Sequence, residues 1–263
     1  MRSLLIDLDG VLYVGDNAVP GATAAISWLD ESGLTYLYIT NTTSQPRTAI
    51  VEKLEKLGFS TTEERILTPP VAAARWLEEK HLRRVALFVP QVTRAEFSKF
   101  DVLEPESESG TDAVIVGDLG EAWDFGTLNR AFRLLMQEPQ PKLIALGMTR
   151  YWRADDGLRL DTGPFVTALS HAAGVAPDVL GKPAPAFFST ALSVLGSPAS
   201  ETLMIGDDIR TDVLAAERCN IPGVLVRTGK FREEDLTGET QPFAVLDSIA
   251  DLPSWWRREV DGR

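Results

Sequence analysis

Short aliphatic runs alternate with amphipathic segments along most of the chain. The runs read LLIDL, TYLYIT, VALFVP, AVIVG, LIALG, TLMIG and GVLVRTG. Each is too short for a typical helix and apolar at consecutive positions, which indicates strands buried on both faces. Between them, segments such as RTAIVEKLEKLG place Ile50, Leu54 and Leu57 at helical spacing, and Gly58 suits a left-handed C-cap. This alternation predicts an α/β protein with parallel sheets covered by helices.

Two loop-like stretches interrupt the pattern in the middle of the chain. The first is acidic and reads FDVLEPESESGTD, and the second is proline-rich and reads MQEPQPKL. The strands between Val85 and Gly147 could therefore form a small sheet of their own.

Polar side chains follow several of the predicted strands, where open parallel sheets bind their ligands. In chain order these candidates are Asp7 and Asp9, then Thr40 and Asn41, then Lys182 in a Gly-Lys-Pro turn, then Asp207, Asp208 and Asp212. Asp7 and Asp9 point the same way from an extended chain. Two carboxylates this close repel each other unless a proton or a cation accompanies them.

Each motif also has an ordinary structural explanation. Asp9 and Gly10 form a common turn pair, TNTTS and GDDIRTD suit helix N-termini, and Lys182 could be a solvated loop residue. Because these motifs occur together at the ends of predicted strands, a functional site is favoured over the separate structural explanations. Three carboxylates without a histidine cluster favour Mg²⁺ over zinc, and a lysine with Thr and Asn donors suits phosphate oxygens.

Length, composition and charge indicate whether the chain is a globular, a nucleic-acid-binding or a membrane protein. The chain has 263 residues, 44% of them hydrophobic, and a formal net charge of −12. The negative charge argues against a nucleic-acid partner, and no apolar stretch approaches the ~18 residues of a membrane span. The single cysteine, Cys219, cannot form an internal disulfide. We therefore expect a cytoplasmic globular protein with no nucleic-acid or membrane partner.

The motifs DLDGVLY, TNTTS, GKP and GDDIRTD, in this order, resemble the four signatures of the haloacid dehalogenase (HAD) superfamily. The Asp-x-Asp form resembles its phosphatases rather than its dehalogenases. The long insert between TNTTS and GKP resembles subclass IIA, which carries an α/β cap. The stretches GMTRYW, DGLRLDTGPFVTALSHAAGV and VRTGKFR are similar to the phospholysine phosphohistidine inorganic pyrophosphate phosphatase branch of that subclass.

This resemblance implies a Rossmann-like parallel-sheet core built from residues 1–80 and 178–263, with an inserted α/β cap over residues 81–177 that selects the substrate. The implied activity is Mg²⁺-dependent hydrolysis of small phosphorylated metabolites through an aspartyl-phosphate. Two alternatives stay open. One is phosphoryl transfer to an acceptor other than water, as in a mutase. The other is a catalytically weak regulatory protein that binds a phosphate ester.

The resemblance also implies roles for the three aspartates expected at the metal. Asp7 would be the nucleophile and a metal ligand. Asp9 would protonate the leaving group and then activate water, while its backbone carbonyl binds the metal, and Asp207 would be a further ligand. Some members of the narrower branch have serine at the position of Asp9, so its presence favours ordinary phosphate monoesters over pyrophosphate or phosphoamides.

The remaining implied roles are to bind the phosphoryl group and to orient the groups around it. Thr40 and Asn41 would hold the transferring phosphoryl group, and Lys182 would neutralise its charge and orient the nucleophile. Asp208 and Asp212 would orient metal-bound water or Lys182.

Within the cap, the resemblance makes Arg150 a candidate substrate contact. Tyr151 and Trp152 are expected to pack inside the cap and Arg153 to be a surface charge. Relatives include dimers formed through the cap, so a homodimer of this kind is a further possibility, although no residue pattern demands it.

Overall fold

The structure is a computed structural model that describes residues 1–154, 156–238, 241–260 and 262. The strands are β1 (Ser3–Asp7), β2 (Tyr13–Val14), β3 (Asn17–Ala18), β4 (Thr35–Ile39), β5 (Ile66–Leu67), β6 (Arg84–Phe88), β7 (Asp101–Val102), β8 (Ala113–Val116), β9 (Lys142–Ala145), β10 (Tyr151–Ala154), β11 (Gly157–Leu160), β12 (Pro177–Val179), β13 (Thr202–Gly206), β14 (Gly223–Val226) and β15 (Ala244–Leu246). The α-helices are α1 (Ala22–Ser32), α2 (Arg47–Lys56), α3 (Pro69–Glu79), α4 (Phe125–Leu135), α5 (Thr162–Ala173), α6 (Pro185–Leu195), α7 (Leu214–Glu217) and α8 (Leu252–Glu259). Within the described ranges, no helix has the length and apolarity needed to cross a membrane.

The chain forms two compact units, the first of which comprises Met1–Thr40, Arg47–Leu67 and Lys182–Arg263. Its six-stranded sheet has the order β15-β14-β13-β1-β4-β5, and all of these strands are parallel. Strand β1 lies between β13 and β4 in the middle of this sheet, and every one of its residues is therefore buried, as its unbroken aliphatic run predicts. The carboxyl ends of β1, β4 and β13 therefore meet at one edge of the sheet.

Helices cover this sheet and close its core. The main hydrophobic cluster joins residues of β1 and β4 to α1, α2 and α8. Trp255 and Trp256 of α8 are both buried, and the Trp256 ring packs edge-to-face against Trp28 with centroids 6.2 Å apart. The C-terminal helix is thus part of the core of the first unit.

The second unit comprises Asn41–Pro46 and Thr68–Gly181. Its five-stranded parallel sheet has the order β12-β9-β8-β6-β7, with a core of its own between the sheet and helices α4 and α5. The expected separate sheet in the middle of the chain is confirmed. So is the α/β fold class with parallel sheets.

The structure differs from the sequence analysis in two respects. Helix α3 belongs to the second unit, whereas the expected core extended to residue 80, and the later division falls after Gly181 rather than after residue 177. The expectation that Tyr151 and Trp152 pack inside the cap is wrong. They lie on the antiparallel β10–β11 ribbon and are 51% and 43% exposed, because its two strands pair with no other strand in the described part of the chain.

Candidate active site

The turn that follows β1 separates the first two candidate aspartates. Asp7, the last residue of β1, is buried, whereas the side chain of Asp9 is exposed. Gly10 adopts a φ of +84°, and its N–H donates to the Tyr13 carbonyl at 2.7 Å. A left-handed residue turns the chain sharply here, and glycine adopts that conformation without steric cost. The two carboxylates therefore occupy different environments.

Lys182 joins two buried carboxylates of the first unit. Its Nζ lies 2.6 Å from Asp7 Oδ1 and 2.7 Å from Asp212 Oδ1. All three residues are buried, with exposed fractions of 6% for Lys182, 6% for Asp7 and 1% for Asp212. A buried charge is stable only when it is paired, so this lysine and its two acids form one electrostatic unit.

Burial and charge shift the pKa values of this group. Burial would lower the pKa of Lys182, but the carboxylates of Asp212 and Asp7 outweigh it and raise that pKa above its ordinary value. Burial raises the pKa of Asp7 against the opposing effect of Lys182. Burial likewise raises the pKa of Asp212 to about 6, again opposed by Lys182. Lys182 is therefore a cation at neutral pH.

Asp207, just past the end of β13, adds a third carboxylate. It is 1% exposed, and its Oδ2 accepts a hydrogen bond of 2.7 Å from the backbone N–H of Lys230. Its Oδ1 is buried and has no hydrogen-bond partner among the described residues. Burial raises the pKa of Asp207 to about 6. A buried oxygen without a donor is a candidate cation ligand.

The three carboxylates fit a divalent metal ion. Oxygens of Asp7, Asp207 and Asp212 all lie within 4.8 Å of one another. When all are ionised, three negative charges and the positive charge of Lys182 leave a net charge of −2, which a divalent cation would balance. Carboxylate oxygens are the ligands that Mg²⁺ prefers. The side chain of Asp9 lies outside this cluster, and the family resemblance implies only its backbone carbonyl as a metal ligand.

Asp208 shapes the turn that carries Asp212. Its Oδ1 accepts hydrogen bonds from the N–H groups of Arg210 (2.9 Å) and Thr211 (3.1 Å), and so caps the π-helix Ile209–Val213. Its own N–H donates to Asp212 Oδ2 at 3.2 Å. With Lys182 on one oxygen and this N–H on the other, the Asp212 carboxylate has a fixed orientation.

The other predicted residues divide between the two units. Thr40 is buried at the end of β4 in the first unit, where its N–H donates to the Leu67 carbonyl at 3.1 Å. Asn41 and Arg150 belong to the second unit and are exposed. The Arg150 guanidinium lies 5.9 Å from the centre of the Tyr151 ring. The structure thus brings Asp7, Lys182, Asp207 and Asp212 together within the first unit.

Sequence reasoning missed one part of this site. The turn Thr228–Lys230, which follows β14, reaches Asp207 through the Lys230 N–H and reaches the Gly10 carbonyl through the Thr228 hydroxyl. The available signal was the stretch VRTGKF directly after a buried strand of the same parallel sheet. Neither Thr228 nor Gly229 was singled out there.

Comparisons with known proteins identify the family of this chain. Residues 4–102 match the family model described as haloacid dehalogenase-like hydrolase, and residues 179–252 match one described as HAD-hydrolase-like. The human phospholysine phosphohistidine inorganic pyrophosphate phosphatase is 38% identical over 255 residues, which cover 95% of this chain and 91% of that protein. Haloacid dehalogenase-like hydrolase domain-containing protein 2 from Bos taurus is 38% identical over 254 residues, which cover 93% of this chain and 95% of that protein.

A solved structure extends the likeness to three dimensions. The p-nitrophenyl phosphatase from Archaeoglobus fulgidus superimposes with a TM-score of 0.86 and 26% sequence identity, over 96% of this chain and 98% of that chain. The expected fold and enzyme class are confirmed. On these matches, the chain is a member of the haloacid dehalogenase-like hydrolase family.

Proposed function

We propose that this protein is a Mg²⁺-dependent phosphatase that hydrolyses small phosphorylated metabolites through a phosphoryl group carried on Asp7. The observation that carries the proposal is the pairing of Asp7 with Lys182 at 2.6 Å, within a buried cluster where Asp207 Oδ1 has no described partner. A nucleophilic carboxylate must be ionised, and the Lys182 cation opposes the rise in the pKa of Asp7 that burial causes. The phosphatase names of its relatives support the same reaction class.

The chain's own residues would hold the metal ion. Asp7 and Asp207 would supply carboxylate oxygens, and Asp9 would supply its backbone carbonyl. Asp212 lies in the same cluster, but Lys182 and the Asp208 N–H already engage its two oxygens. We therefore assign Asp212 to the orientation of Lys182. When bound, Mg²⁺ supplies positive charge that stabilises the phosphoryl oxygens in the transition state.

The first step transfers the phosphoryl group to the protein. A carboxylate oxygen of Asp7 forms a bond to phosphorus as the bond from phosphorus to the ester oxygen breaks. Asp9 donates a proton to that leaving oxygen, so an alcohol departs and Asp9 becomes a carboxylate. The exposed position of Asp9 suits this role, because proton exchange requires access to substrate and water.

The second step returns the protein to its starting state. The Asp9 carboxylate takes a proton from a water molecule, whose oxygen bonds to phosphorus while the bond to Asp7 breaks. Inorganic phosphate leaves, and the Asp7 carboxylate and protonated Asp9 are restored. Lys182 offsets negative charge near Asp7 throughout both steps, and Thr40 with Asn41 would hold the phosphoryl oxygens.

We propose ordinary phosphate monoesters as the substrate class. An alcohol leaving group needs a proton, and Asp9 is the residue assigned to supply it. Some relatives are named for phospholysine, phosphohistidine and inorganic pyrophosphate. The presence of Asp9 favours monoesters over those substrates here. We assign the choice among monoesters to the second unit, with Arg150 as a substrate contact because its guanidinium is exposed.

The test is release of inorganic phosphate from p-nitrophenyl phosphate and a panel of metabolite phosphates. Each reaction is run with Mg²⁺, with EDTA, and with an Asp7→Asn variant. The proposal requires release that depends on Mg²⁺ and is absent in the variant. Capture of the phosphoryl group by an added alcohol, or isomerised sugar phosphate, would instead favour a transferase or mutase. Tight binding of a phosphate ester without turnover would favour a regulatory binding protein.

A further inference from the structure

We propose that the turn Thr228–Lys230, called the 228–230 turn below, positions the Asp207 carboxylate and the Gly10 backbone for metal binding. The inference rests on the proposed function, because it takes Asp207 as a metal ligand. It adds Thr228 and Gly229 as positioning residues, which act through Asp207 and Gly10 rather than on the substrate.

The first supporting contact fixes one oxygen of Asp207. The Lys230 N–H donates to Asp207 Oδ2 at 2.7 Å, while Asp207 Oδ1 is buried without a partner among the described residues. A carboxylate held through one oxygen presents the other in a defined direction. The backbone of the turn therefore determines which oxygen of Asp207 is available to a cation.

A second contact links the turn to the loop that follows the nucleophile. The Thr228 hydroxyl donates a hydrogen bond to the Gly10 carbonyl. Gly10 comes directly after Asp9, whose backbone carbonyl is the remaining proposed ligand. The 228–230 turn thus contacts both chain segments that would hold the metal beside Asp7.

Gly229 allows this close approach because it has no side chain. Its φ is +63°, and a Cβ built there would overlap Asp207 Oδ2 and lie 2.5 Å from Gly10 Cα. A Cβ on Gly10 would overlap the same carboxylate from its own side. The Asp207 carboxylate therefore lies between two glycine backbones, and any larger residue at position 229 must displace it.

The positive charge of the Lys230 side chain is not part of this positioning role. Lys230 is exposed, and its Nζ lies 3.9 Å from Asp208 Oδ2 rather than against Asp207. A surface pair of this length contributes little. The proposal therefore rests on the backbone N–H of Lys230 and not on its ammonium group.

The test compares Gly229→Ala with a matched control, Gly196→Ala. Gly196 ends α6 with a φ of +68°, and no described atom lies within 4 Å of a Cβ built there. Both variants carry the cost of a left-handed alanine, but only Gly229→Ala displaces Asp207. Mg²⁺ affinity is measured on the full chain by isothermal titration calorimetry, and the Mg²⁺-dependent rise in Tm is measured beside it.

We expect Gly229→Ala to weaken Mg²⁺ binding by about 10- to 100-fold, as outer-sphere changes at metal sites do, and Gly196→Ala to leave it unchanged. In the phosphatase assay, Gly229→Ala should raise the Mg²⁺ concentration for half-maximal rate. Much of the lost rate should return at saturating Mg²⁺, a recovery that a general loss of structure would not show.

Substitutions at Thr228 test the proposal without straining the backbone, unlike alanine at a left-handed glycine. The two variants are Thr228→Val and Thr228→Ser. Valine removes the hydroxyl at similar volume, so Mg²⁺ affinity should fall, and serine should restore it. If the wild type binds Mg²⁺ and neither Gly229→Ala nor Thr228→Val weakens that binding, the positioning role is overturned while the proposed function stands. If the wild type itself binds no Mg²⁺, the proposed function fails, and this inference fails with it.

Discussion

Lys182 Nζ lies 2.6 Å from Asp7 Oδ1, although the two residues are 175 positions apart in the chain. The pair connects the first strand of the sheet to the segment that returns after the second unit. Both side chains are buried, and Asp212 completes the group. Because the same contact supports the fold and orients the proposed nucleophile, changes to it affect stability and chemistry together.

Replacing Lys182 with methionine should destabilise the protein strongly. The change leaves the carboxylates of Asp7 and Asp212 buried without their cation, which typically costs about 3–5 kcal/mol. Urea denaturation measures the change in the free energy of unfolding. Lys99→Met is the control, because Lys99 is exposed, pairs with Glu78 at 3.7 Å and should lose about 1 kcal/mol or less. Equal losses in the two variants would contradict the account.

Stabilisation by Mg²⁺ should depend on pH. Burial raises the pKa values of Asp207 and Asp212 to about 6, from an ordinary value of 3.8. Groups with a raised pKa favour folding when protonated, so their contribution to the metal-free protein is present at low pH and lost as the pH rises through about 6. Mg²⁺ binding requires the ionised carboxylates. The stabilisation that Mg²⁺ provides should therefore be present at higher pH and be lost as the pH falls.

The Mg²⁺-dependent rise in Tm should therefore be large at pH 7.5 and shrink below about pH 6. Below that pH, the apparent affinity for Mg²⁺ should fall by about tenfold per pH unit for each carboxylate proton that Mg²⁺ binding has to displace. Thermal unfolding with Mg²⁺ and with EDTA across this range measures both effects. A rise in Tm that is constant from pH 5 to pH 8 would count against a carboxylate metal site.

Asp9→Asn should slow catalysis without weakening the fold. An asparagine cannot exchange the proton that each step needs, and loss of an acid–base group typically costs about 10²- to 10⁴-fold in rate. Asp9 is exposed, so the free energy of unfolding should change by about 0.5 kcal/mol or less. Asp16→Asn, an exposed change on the nearby β2–β3 turn, should keep full activity. Wild-type kcat in Asp9→Asn would refute the assigned role.

Arg150→Ala should impair substrate binding rather than metal binding. A hydrogen bond from the Arg150 guanidinium to a phosphorylated substrate contributes about 1.5–3 kcal/mol to binding. Its loss should therefore raise KM by roughly 10- to 100-fold. The affinity for Mg²⁺ should not change, because Arg150 is not one of the residues proposed to hold or position the metal ion. Arg153→Ala removes a neighbouring exposed arginine and serves as the control. Identical KM values for the two variants would exclude a specific role for Arg150.

The sequence was sufficient to predict the parts of this protein that depend on local pattern. Unbroken aliphatic runs predicted β1, β4 and β13, and polar residues at their ends predicted the acids that the sheet brings together. Parallel strands share an edge, so neighbours in this sheet could be expected to present Asp7 and Asp207 close together.

Other features depend on tertiary contacts that no local pattern contains. The position of Asp212 against Lys182 depends on a π-helical turn, and the role of Gly229 depends on how closely it approaches Asp207. Trp152 was expected to pack inside the cap, but among the described residues the β10–β11 ribbon pairs with no further strand that would bury it.

The most direct test of the central claim is to identify the residue that carries the phosphoryl group. Radiolabelled p-nitrophenyl phosphate is mixed with Asp9→Asn protein and Mg²⁺. Its nitrophenolate leaves without needing a proton, so this variant should still form the intermediate but break it down slowly. The reaction is quenched in acid within a turnover, and the labelled peptide is mapped. We predict label on Asp7 with Mg²⁺ and none with EDTA. Release of phosphate by the wild type, with no label on Asp7 at any quench time in either protein, would contradict the account.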